Sequence, residues 1–521
     1  ARDLWGQGVF ATQRILKERH GVQHQVAAIG PAGENRVRYA SIIHRLANAI
    51  GNAGFGGVMG SKNLKAVAVR GTGGVPIADP VGFVTAVSRV WELARGGVAC
   101  LGQPDQGYPV VACTHGCSVR CGTRVQATHS PSSGDVRVRM LKCQNGAFVR
   151  GSHPGYDGVS ADGVRLVIPR PPGLGEAGLD LGNLVEDLGL TAWFYDSWYR
   201  YFGGLRELGV TEIAGEPLAL DDPTWWRRTL GRVARREGIG DDMAEGLIRF
   251  HDRHGIGPRY LVEFIESAGS RGHGWHRDGR AMEPHPSPFW EHAALLYATS
   301  TRDVTPSTHG FFFLNRLYGY PSAPPPPESV PAALQALGES VYGSREAVWA
   351  GDSRVEHVTA WHQHRAAIKD SLGLCDWVFP VLNRTFATRE ELVSAVAAGD
   401  GSHIGDPAAE ALLYASCTGI DLPMAAMESP LAERIVNLER CLDIRNTGRS
   451  REDDETVIPH FQWPEKTDST RVAPDANKFR ALLDRYYDLR GWDRRSGRPT
   501  RTKLEELELA SVVGEWPKTD A

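Results

Sequence analysis

Residues 51–63 read Gly-Asn-Ala-Gly-Phe-Gly-Gly-Val-Met-Gly-Ser-Lys-Asn, with five glycines in thirteen positions. This segment lies between two short apolar runs, residues 24–30 (His-Gln-Val-Ala-Ala-Ile-Gly) and residues 65–71 (Lys-Ala-Val-Ala-Val-Arg-Gly). Short runs of this kind, bounded by glycine and polar residues, are typical of strands. So much glycine argues against a regular element between them. We therefore expect an irregular backbone between two strands of a small sheet. Since glycine has no side chain, a ligand or another part of the chain could come close to this backbone.

The glycine-rich segment differs from the two common phosphate-binding fingerprints. Residues 60–62, Gly-Ser-Lys, reverse the order of a P-loop, and Met59 interrupts the G-x-G-x-x-G pattern. Several glycine amides and the side chains of Lys62 and Lys65 nevertheless converge here. Two alternatives remain open: a site for a phosphate-bearing ligand, or a structural turn.

The apolar periodicity becomes helical after about residue 80. A periodic run extends from Pro80 to Leu93, and Asp222 followed by Pro223 has the form of a helix N-cap with proline at the first helical position. Further helices are predicted at residues 228–236, 243–252, 390–398, 406–416, 430–444 and 478–487. The sequence thus predicts an α+β protein in which a small sheet domain precedes a large helical part.

Two polar or proline-rich segments interrupt this helical pattern. Residues 318–328 (Tyr-Gly-Tyr-Pro-Ser-Ala-Pro-Pro-Pro-Pro-Glu) predict a stiff polyproline loop. Residues 445–459 (Arg-Asn-Thr-Gly-Arg-Ser-Arg-Glu-Asp-Asp-Glu-Thr-Val-Ile-Pro) predict a polar loop.

Composition narrows the class of protein further. The chain has 521 residues, of which 41% are hydrophobic and 23% charged, and a net charge of −4. At roughly 100–200 residues per domain, this length indicates about two to four domains. The balanced charge gives no support to a nucleic-acid partner, and the absence of a long apolar run or signal pattern gives none to a membrane partner. We expect a cytoplasmic protein.

Because Ala1 already lies in sequence typical of a domain interior, we also expect that a segment was removed or is supplied by another chain.

Three of the eight cysteines form a C-x3-C-x3-C cluster: Cys113, Cys117 and Cys121. Three thiolates in one loop can hold an iron–sulfur cluster when a distant cysteine completes the set. A zinc site, which more often has paired C-x2-C arms, and an accidental grouping remain as alternatives. Among the other cysteines, Cys375 follows a glycine that exposes backbone amides beside the thiol. Cys417, like Cys441, lies in an apolar helical pattern that favours a buried structural role.

Two blocks of this sequence resemble the aldehyde:ferredoxin oxidoreductase family. They are residues 28–35 (Ala-Ile-Gly-Pro-Ala-Gly-Glu-Asn) and residues 57–66 (Gly-Val-Met-Gly-Ser-Lys-Asn-Leu-Lys-Ala). Further similarity lies at residues 236–241, 370–375 and 486–492. These enzymes carry a tungsten or molybdenum bispterin centre, and they include the tungsten subunit of class II benzoyl-CoA reductases. The resemblance implies three units: residues 1–78 as the C-terminal part of a β-sheet pterin-binding domain, residues 79–275 as a helical domain with the cysteine-rich loop, and residues 276–521 as a helical domain with the fourth cluster ligand.

The resemblance also implies the cofactors and the residues that bind them. It implies a [4Fe-4S] cluster, a tungsto- or molybdo-bispterin and a Mg²⁺ ion that bridges the pterin phosphates. The family's D-x-L-G-L-D motif corresponds here to residues 186–191, Glu-Asp-Leu-Gly-Leu-Thr, and its D-x-x-G-L-C motif to residues 370–375, Asp-Ser-Leu-Gly-Leu-Cys. The implied cluster ligands are Cys113, Cys117, Cys121 and Cys375, and the implied pterin contacts are Asn48, Ala49, Gly51, Glu186, Leu190, Thr191, Asp370 and Leu374.

Two further residues are candidates for the chemistry itself. His309 lies near the position of the family's catalytic histidine, and a proton donor with a pKa near neutrality suits redox chemistry at a metal. Residues 141–146 (Leu-Lys-Cys-Gln-Asn-Gly) carry no acid where the aldehyde oxidoreductases have a glutamate, and Cys143 there is a candidate metal ligand.

The resemblance leaves three functions open. The first is an oxidoreductase that acts on aldehyde- or carboxylate-type small molecules and exchanges electrons with a ferredoxin-like carrier. The second is an aryl-thioester or specialised-metabolite reductase of the same family, and the third is a degenerate, non-catalytic subunit of a complex. Since the family's first domain has additional strands, the resemblance also implies a second polypeptide that supplies the missing N-terminal half of that domain.

Overall fold

The computed structural model describes most of the chain, in segments. The described residues are 2–45, 48–51, 54–94, 110–111, 122–127, 137–141, 148–149, 151, 156–159, 165–191, 194–259, 261–262, 290–301, 332–348, 354–375, 378–384, 386, 389–455 and 476–513.

The N-terminal part contains a four-stranded antiparallel sheet. Its strands are β1 (Gln25–Ile29), β2 (Ile42–His44), β3 (Asn48–Ile50) and β4 (Ala66–Val69), in the spatial order β3-β2-β1-β4. The predicted strands at residues 24–30 and 65–71 are therefore confirmed, and they pair directly with each other as β1 and β4. Apolar residues of one helix pack on this sheet, where Val9 joins Val26, Ala28 and Ile43 in a buried cluster.

The helices occupy most of the remaining described chain. Their bounds are α1 (Val9–His20), α2 (Pro31–Glu34), α3 (Phe55–Ser61), α4 (Pro80–Ala94), α5 (Gly175–Asp187), α6 (Phe194–Glu207), α7 (Pro223–Arg235), α8 (Ile239–Ala244), α9 (Leu247–His254), α10 (Trp290–Thr299), α11 (Ala332–Tyr342), α12 (Val355–Leu372), α13 (Arg389–Ala398), α14 (Ala409–Thr418), α15 (Met424–Ala426), α16 (Glu433–Thr447), α17 (Arg451–Glu455), α18 (Ala476–Arg490), α19 (Arg501–Glu506) and α20 (Ala510–Val513). Short 3-10 turns at Arg2–Leu4 and Arg345–Val348 and a π-helical turn at Met427–Ala432 complete them.

Short antiparallel strands also occur within the part predicted to be mainly helical. They are β5 (Val110–Val111), β6 (Gly122–Ala127) and β7 (Arg137–Leu141) in one sheet, and the pairs β8 (Tyr156–Val159) with β9 (Arg165–Ile168), β10 (Glu212–Ile213) with β11 (Glu216–Pro217), and β12 (Val381–Asn383) with β13 (Ile404–Asp406). The α+β class is thus confirmed, with strands that extend beyond the N-terminal sheet.

The prediction of an irregular backbone at residues 51–63 was wrong, because residues 55–61 form the helix α3. The glycines serve close packing against the chain's own backbone. A Cβ at Gly60 would lie 1.9 Å from the carbonyl oxygen of Gly33, and one at Gly56 would lie 2.6 Å from that of Ser41. Gly54, which precedes the helix, has a φ of +70°, a conformation that favours glycine.

Gly60→Ala is expected to destabilise the protein by roughly 2 kcal/mol, because the new methyl group would overlap a backbone carbonyl that cannot rotate away. Gly71→Ala is the matched control, since nothing lies within 4 Å of a Cβ at Gly71 and its φ is not in the left-handed region. Urea denaturation followed by tryptophan fluorescence measures both variants. Equal stability of the two variants would contradict the packing role of Gly60.

Most predicted helices are present, and the differences have local causes. Asp222 caps α7 as predicted, since its side chain accepts a hydrogen bond from the amide of Thr224. Residues 243–252 contain a break between α8 and α9, because Gly246 has a φ of +94°. The predicted polar loop at residues 445–459 was partly wrong, since α16 extends to Thr447 and residues 451–455 form α17. Residues 318–328 lie outside the described part of the chain.

Aromatic side chains of α6 form the centre of a large core. The ring centroids of Tyr195 and Trp226 are 5.0 Å apart and those of Trp198 and Phe250 are 5.2 Å apart, both in edge-to-face geometry. Such pairs add to the free energy of burying the rings. None of the described helices is both long and apolar enough to span a membrane.

Candidate functional site

Two helices end in the same local structure, and both ends carry the sequence Leu-Gly-Leu. At the end of α5, Gly189 has a φ of +72°, and its amide donates to the Glu186 carbonyl at 3.0 Å. At the end of α12, Gly373 has a φ of +67°, and its amide donates to the Asp370 carbonyl at 3.3 Å. In each case the amide of the following leucine reaches one residue further back, to Val185 at 2.9 Å or Lys369 at 2.8 Å. Both ends are Schellman caps.

The shared cap makes the two motifs structurally equivalent, residue by residue. Glu186 corresponds to Asp370 in the last helical turn, and Thr191 corresponds to Cys375 as the first residue after the second leucine. The sequence predicts the two motifs separately, and the structure shows that they use one backbone geometry. We refer to them as the α5 cap and the α12 cap.

The α5 cap contacts the N-terminal sheet directly. The amide of Ser41 donates to the carbonyl of Gly189 at 2.8 Å, and Ala40 forms an isolated bridge with Leu190. Because Ile42 pairs with Ile50 in β2 and β3, the continued register places Gly51 opposite Ser41. The structure thus joins two groups of predicted residues, those on β3 and those on the α5 cap.

Two buried hydroxyl groups at this junction have no hydrogen-bond partner among the residues that the structure describes. They are Ser41 Oγ and Thr191 Oγ1, in residues that are 0% and 7% exposed. A buried polar atom without a partner costs about 1–3 kcal/mol. The donor set therefore fits a ligand that brings its own polar edge to this place. Sequence analysis missed Ser41, since only the contact of the segment before β2 with the α5 cap distinguishes it from other serines.

The remaining predicted residues of this region lie on β3. Asn48 pairs with His44 and Ala49 with Ile43 in the sheet, and both residues are half-buried. Glu186 is 2% exposed, so its carboxyl group lies inside the protein beside the α5 cap.

Lys65 belongs to the protein interior and does not face a ligand site. Its ammonium group forms an ion pair with Glu34 and donates to the carbonyl of Gln7 at 2.7 Å, and its side chain is 2% exposed. Burial lowers the pKa of Lys65, although Glu34 opposes this shift. Lys62, by contrast, is exposed. Of the two alternatives for residues 51–63, the packing of α3 and the buried Lys65 favour the structural one.

The α12 cap presents a thiol to the surface. Asp370 and Cys375 are exposed, and Leu374 between them is half-buried. The carbonyl of Cys375 accepts the amides of Val378 at 3.1 Å and Phe379 at 3.0 Å, which fixes the backbone that follows the cap. Cys375 forms no disulfide with the other cysteines in the described segments, Cys417 and Cys441. Its exposed sulfur can act as a metal ligand.

Several predicted residues lie outside the described part of the chain. They are Cys113, Cys117, Cys121, Cys143 and His309. Within the residues that the structure describes, no three His, Cys, Asp or Glu side chains converge to hold a metal ion. The assignment of all four cluster ligands, Cys375 included, thus stays a prediction from the sequence.

Comparison with known proteins decides the family. The family model "Aldehyde ferredoxin oxidoreductase, N-terminal domain" matches residues 1–71, and the model for domains 2 and 3 of that protein matches residues 108–509. The chain belongs to the aldehyde ferredoxin oxidoreductase family. The family resemblance drawn from residues 28–35 and 57–66 is thereby confirmed.

Relatives within the aldehyde ferredoxin oxidoreductase family are oxidoreductases by name. The tungsten-containing aldehyde ferredoxin oxidoreductase of Pyrococcus furiosus is 26% identical, and the match covers 98% of this chain and 78% of that protein. The enzyme of the same name from Thermococcus kodakarensis has the same identity and coverage. A shorter match, 26% identical over 48% of this chain and 46% of the relative, is to the P. furiosus aliphatic sulfonate oxidoreductase, WOR-like subunit.

A solved structure shares the fold. It is the active site complex BamBC of benzoyl coenzyme A reductase with 1,5-dienoyl-CoA, with a TM-score of 0.64 and 21% identity over 98% of this chain and 77% of that chain. This likeness supports the architecture of the aldehyde ferredoxin oxidoreductase family for our chain. The domain boundaries at residues 78 and 275 stay predictions.

Proposed function

We propose that this chain is an oxidoreductase with a tungsten- or molybdenum-bispterin centre and a [4Fe-4S] cluster. The observation that carries the proposal is the junction of the α5 cap with the sheet, where the buried hydroxyls of Ser41 and Thr191 lack partners in the described part of the chain. The names of the P. furiosus and T. kodakarensis relatives support tungsten as the metal. When bound, the metal centre supplies the exchange of electrons with the substrate, and the cluster supplies their transfer to a carrier such as ferredoxin.

The residues of the chain would bind and orient the pterins. At the α5 cap, the Ser41 and Thr191 hydroxyls and the Asn48 side chain offer hydrogen bonds, beside Glu186 and Leu190. Ala49 and Gly51 leave room for a flat ring near the backbone. At the α12 cap, Asp370 and Leu374 would contact the second pterin. A Mg²⁺ ion bridging the pterin phosphates is part of the same proposal.

The cluster would be held by Cys113, Cys117, Cys121 and Cys375. Cys375 follows Leu374 directly, so a residue assigned to the second pterin and a ligand of the cluster are neighbours in the chain. This adjacency supports electron transfer between the two cofactors. The exposed position of Cys375 supports transfer onward to a carrier protein.

The substrate we propose is a small aldehyde- or carboxylate-type molecule. His309 would donate or accept a proton near neutral pH, and Cys143 would lie near the metal. A second candidate, an aryl-thioester or specialised-metabolite reductase, is favoured by the lack of any acid in residues 141–146. Oxidation of aldehydes by this family is expected to need a general base there.

A second polypeptide as partner belongs to the proposal as well. Large aliphatic side chains of the N-terminal sheet are exposed, with Ile50 at 54%, Val67 at 45% and Val69 at 59%. They lie on β3 and β4, the two outer strands of the sheet. Outer strands with exposed apolar side chains are suited to pairing with another chain.

A cytoplasmic location fits a thiolate-bound cluster, since reducing compartments keep cysteines unpaired.

One experiment tests the cofactors and the partner together. Protein purified without oxygen is expected to contain tungsten or molybdenum, and iron, and to co-purify with a second chain identified by mass spectrometry. Addition of an aldehyde is expected to reduce a viologen dye. Protein with neither group-six metal nor iron would refute the proposal. Metal-loaded protein that reduces no dye with aldehydes would favour the thioester reductase.

Thr191→Val sharpens this experiment, because it removes one of the two buried hydroxyls at little change in shape. The content of tungsten or molybdenum is expected to fall severalfold. The thermal stability of the metal-free protein should stay equal or rise, because the substitution removes a buried hydroxyl that has no partner there. Thr418→Val, at an exposed position, is the control. An unchanged metal content in Thr191→Val would exclude this hydroxyl from the cofactor site.

A further inference from the structure

A cavity of about 360 Å³ lies where the first half of α12 meets the ends of α11 and α18. Its described lining includes two arginines, Arg354 and Arg490, together with Trp361, His364 and Leu489. Trp361 is eleven residues before the end of α12, or about 16 Å along the helix axis. The cavity therefore lies well away from the α12 cap.

Arg490 is buried, and its hydrogen-bond partners are neutral. The residue is 2% exposed, its Nε donates to the hydroxyl of Tyr486 at 3.0 Å, and its two other nitrogens donate to Gln363 and His364. No carboxylate among the described residues lies within ion-pair distance of this guanidinium group. Glu433, which lines the same cavity, acts on Arg490 only through its charge, so a ligand carboxylate would supply the direct ion pair that this buried guanidinium group lacks among the described residues.

His364 adds a neutral donor to the same cavity. Its Nε2 must accept the hydrogen bond from Arg490, because a guanidinium group only donates. Burial, and then the charge of Arg490, lower the pKa of His364 well below its usual value. The ring is therefore neutral with its proton on Nδ1, and in the described structure this N–H has no acceptor.

Arg354 supplies a second positive charge at the mouth of the cavity. It is exposed, precedes the first turn of α12, and has no hydrogen-bond or ion-pair partner among the described residues. The N-terminus of an 18-residue helix adds a partial positive charge at this place. Cations and helix dipole thus act in the same direction.

The acidic groups near the cavity are already neutralised. Glu433 accepts hydrogen bonds from Lys503 and Ser429, both at 2.9 Å, and despite burial these contacts keep its pKa low. His357 at the cavity wall lies 3.1 Å from Glu356, which also pairs with Arg485. The cavity is thus lined by two arginines and by one carboxylate, Glu433, that already pairs with Lys503, and this balance of charge favours an anion.

The other walls of the cavity are apolar. They include Tyr342, Ala347, Val358, Ala360 and Leu489, in addition to the ring of Trp361. An apolar wall favours a ligand with a carbon body, and aromatic side chains favour a flat one. Ligand cavities of about 300 Å³ and above hold small organic molecules.

We propose that this cavity binds a small carboxylate with a flat apolar body. The guanidinium group of Arg490 and the positive charge of Arg354 would bind the two oxygens of the carboxylate. The Nδ1–H of His364 offers a further hydrogen-bond donor. The ring of the ligand would lie between Trp361 and the aliphatic wall. This site is independent of the proposed metal centre, since none of its residues is assigned to the pterins or the cluster.

Isothermal titration of the full, metal-loaded chain with benzoate tests the proposal. Benzoate is expected to bind with saturation, and benzamide, its uncharged analogue, at least about tenfold more weakly. Arg354→Gln is expected to weaken benzoate binding roughly tenfold, through loss of one charge-assisted contact. Arg228→Gln is the control, because Arg228 is an exposed arginine of α7 outside the cavity, and its affinity for benzoate should be unchanged.

Three results would overturn the proposal. The first is no saturable binding of benzoate at millimolar concentration. The second is equal affinity of Arg354→Gln and the unsubstituted protein, which would place any benzoate site elsewhere. The third is binding of inorganic phosphate as tight as that of benzoate, which would show that the apolar wall contributes nothing. Since Arg354 is exposed, its substitution leaves the fold intact, and circular dichroism verifies this.

Discussion

Cys375→Ser is expected to remove the proposed iron–sulfur cluster from the purified protein. Iron and acid-labile sulfide should fall to a small fraction of the wild-type content, and the electron paramagnetic resonance signal of the dithionite-reduced protein should disappear. The reason is that a serine hydroxyl is a poor replacement for the soft thiolate that binds iron in such clusters. Cys375 is exposed directly after the α12 cap, so the substitution disturbs little packing.

Cys417→Ser is the matched control for this experiment. Cys417 lies near the end of α14, half-buried, and is also outside any disulfide. Its substitution should leave iron, sulfide and the spectroscopic signal unchanged. Retention of full iron content by Cys375→Ser would show that Cys375 is not a cluster ligand, even if activity were lost.

Asp454→Asn is expected to destabilise the C-terminal part of the protein by about 3–5 kcal/mol, because buried Arg440 loses its carboxylate partner and Arg449 keeps only Asp443. Asp454 is fully buried in α17 and accepts hydrogen bonds from Arg440 at 2.7 and 3.1 Å, from Arg449 at 2.8 Å and from Tyr487 at 2.7 Å. Urea denaturation followed by tryptophan fluorescence measures the loss. Trp492 lies beside Arg440 and reports on this region, with the guanidinium carbon 4.8 Å from the ring centroid.

Asp488→Asn provides the control, since Asp488 pairs with Arg494 at the surface. A pair of this kind contributes at most about 1 kcal/mol. Equal destabilisation by the two substitutions would contradict the special role of Asp454.

The pH dependence of stability gives a second test of Asp454. Burial alone would raise its pKa, but Arg440 and Arg449 hold the pKa of the carboxyl group below its usual range. A pKa that is lower in the folded state contributes stability above the unfolded pKa of about 3.9 and loses it as the pH falls. The difference in stability between wild type and Asp454→Asn should therefore shrink on acidification towards pH 3.

Local sequence patterns predicted the elements well where the chain's own neighbours determine them. The strands at residues 25–29 and 66–69 and the helix capped by Asp222 follow from alternation, periodicity and capping. The errors occurred where contacts with residues distant in the sequence determine the local structure. Residues 451–455, Arg-Glu-Asp-Asp-Glu, have the composition of a solvated loop, yet Asp454 is buried because Arg440 and Arg449 come from outside that segment.

The candidate site was predictable to the same limited extent. The motifs at residues 186–191 and 370–375 are visible in the sequence, including their common Leu-Gly-Leu. Ser41 was not predictable, because its importance depends on the contact of its amide with Gly189. The glycines of α3 were misinterpreted for a related reason, since the backbone that they approach comes from residues 33–41.

The shared geometry of the α5 and α12 caps has a consequence for how such a protein changes over time. One backbone form presents a hydroxyl at Thr191 and a thiol at Cys375. A single codon change at either position would exchange the chemistry of a helix end without any rearrangement of the fold. One side chain at each helix end therefore determines whether the cap presents a hydroxyl or a thiol, and the backbone that holds it stays the same.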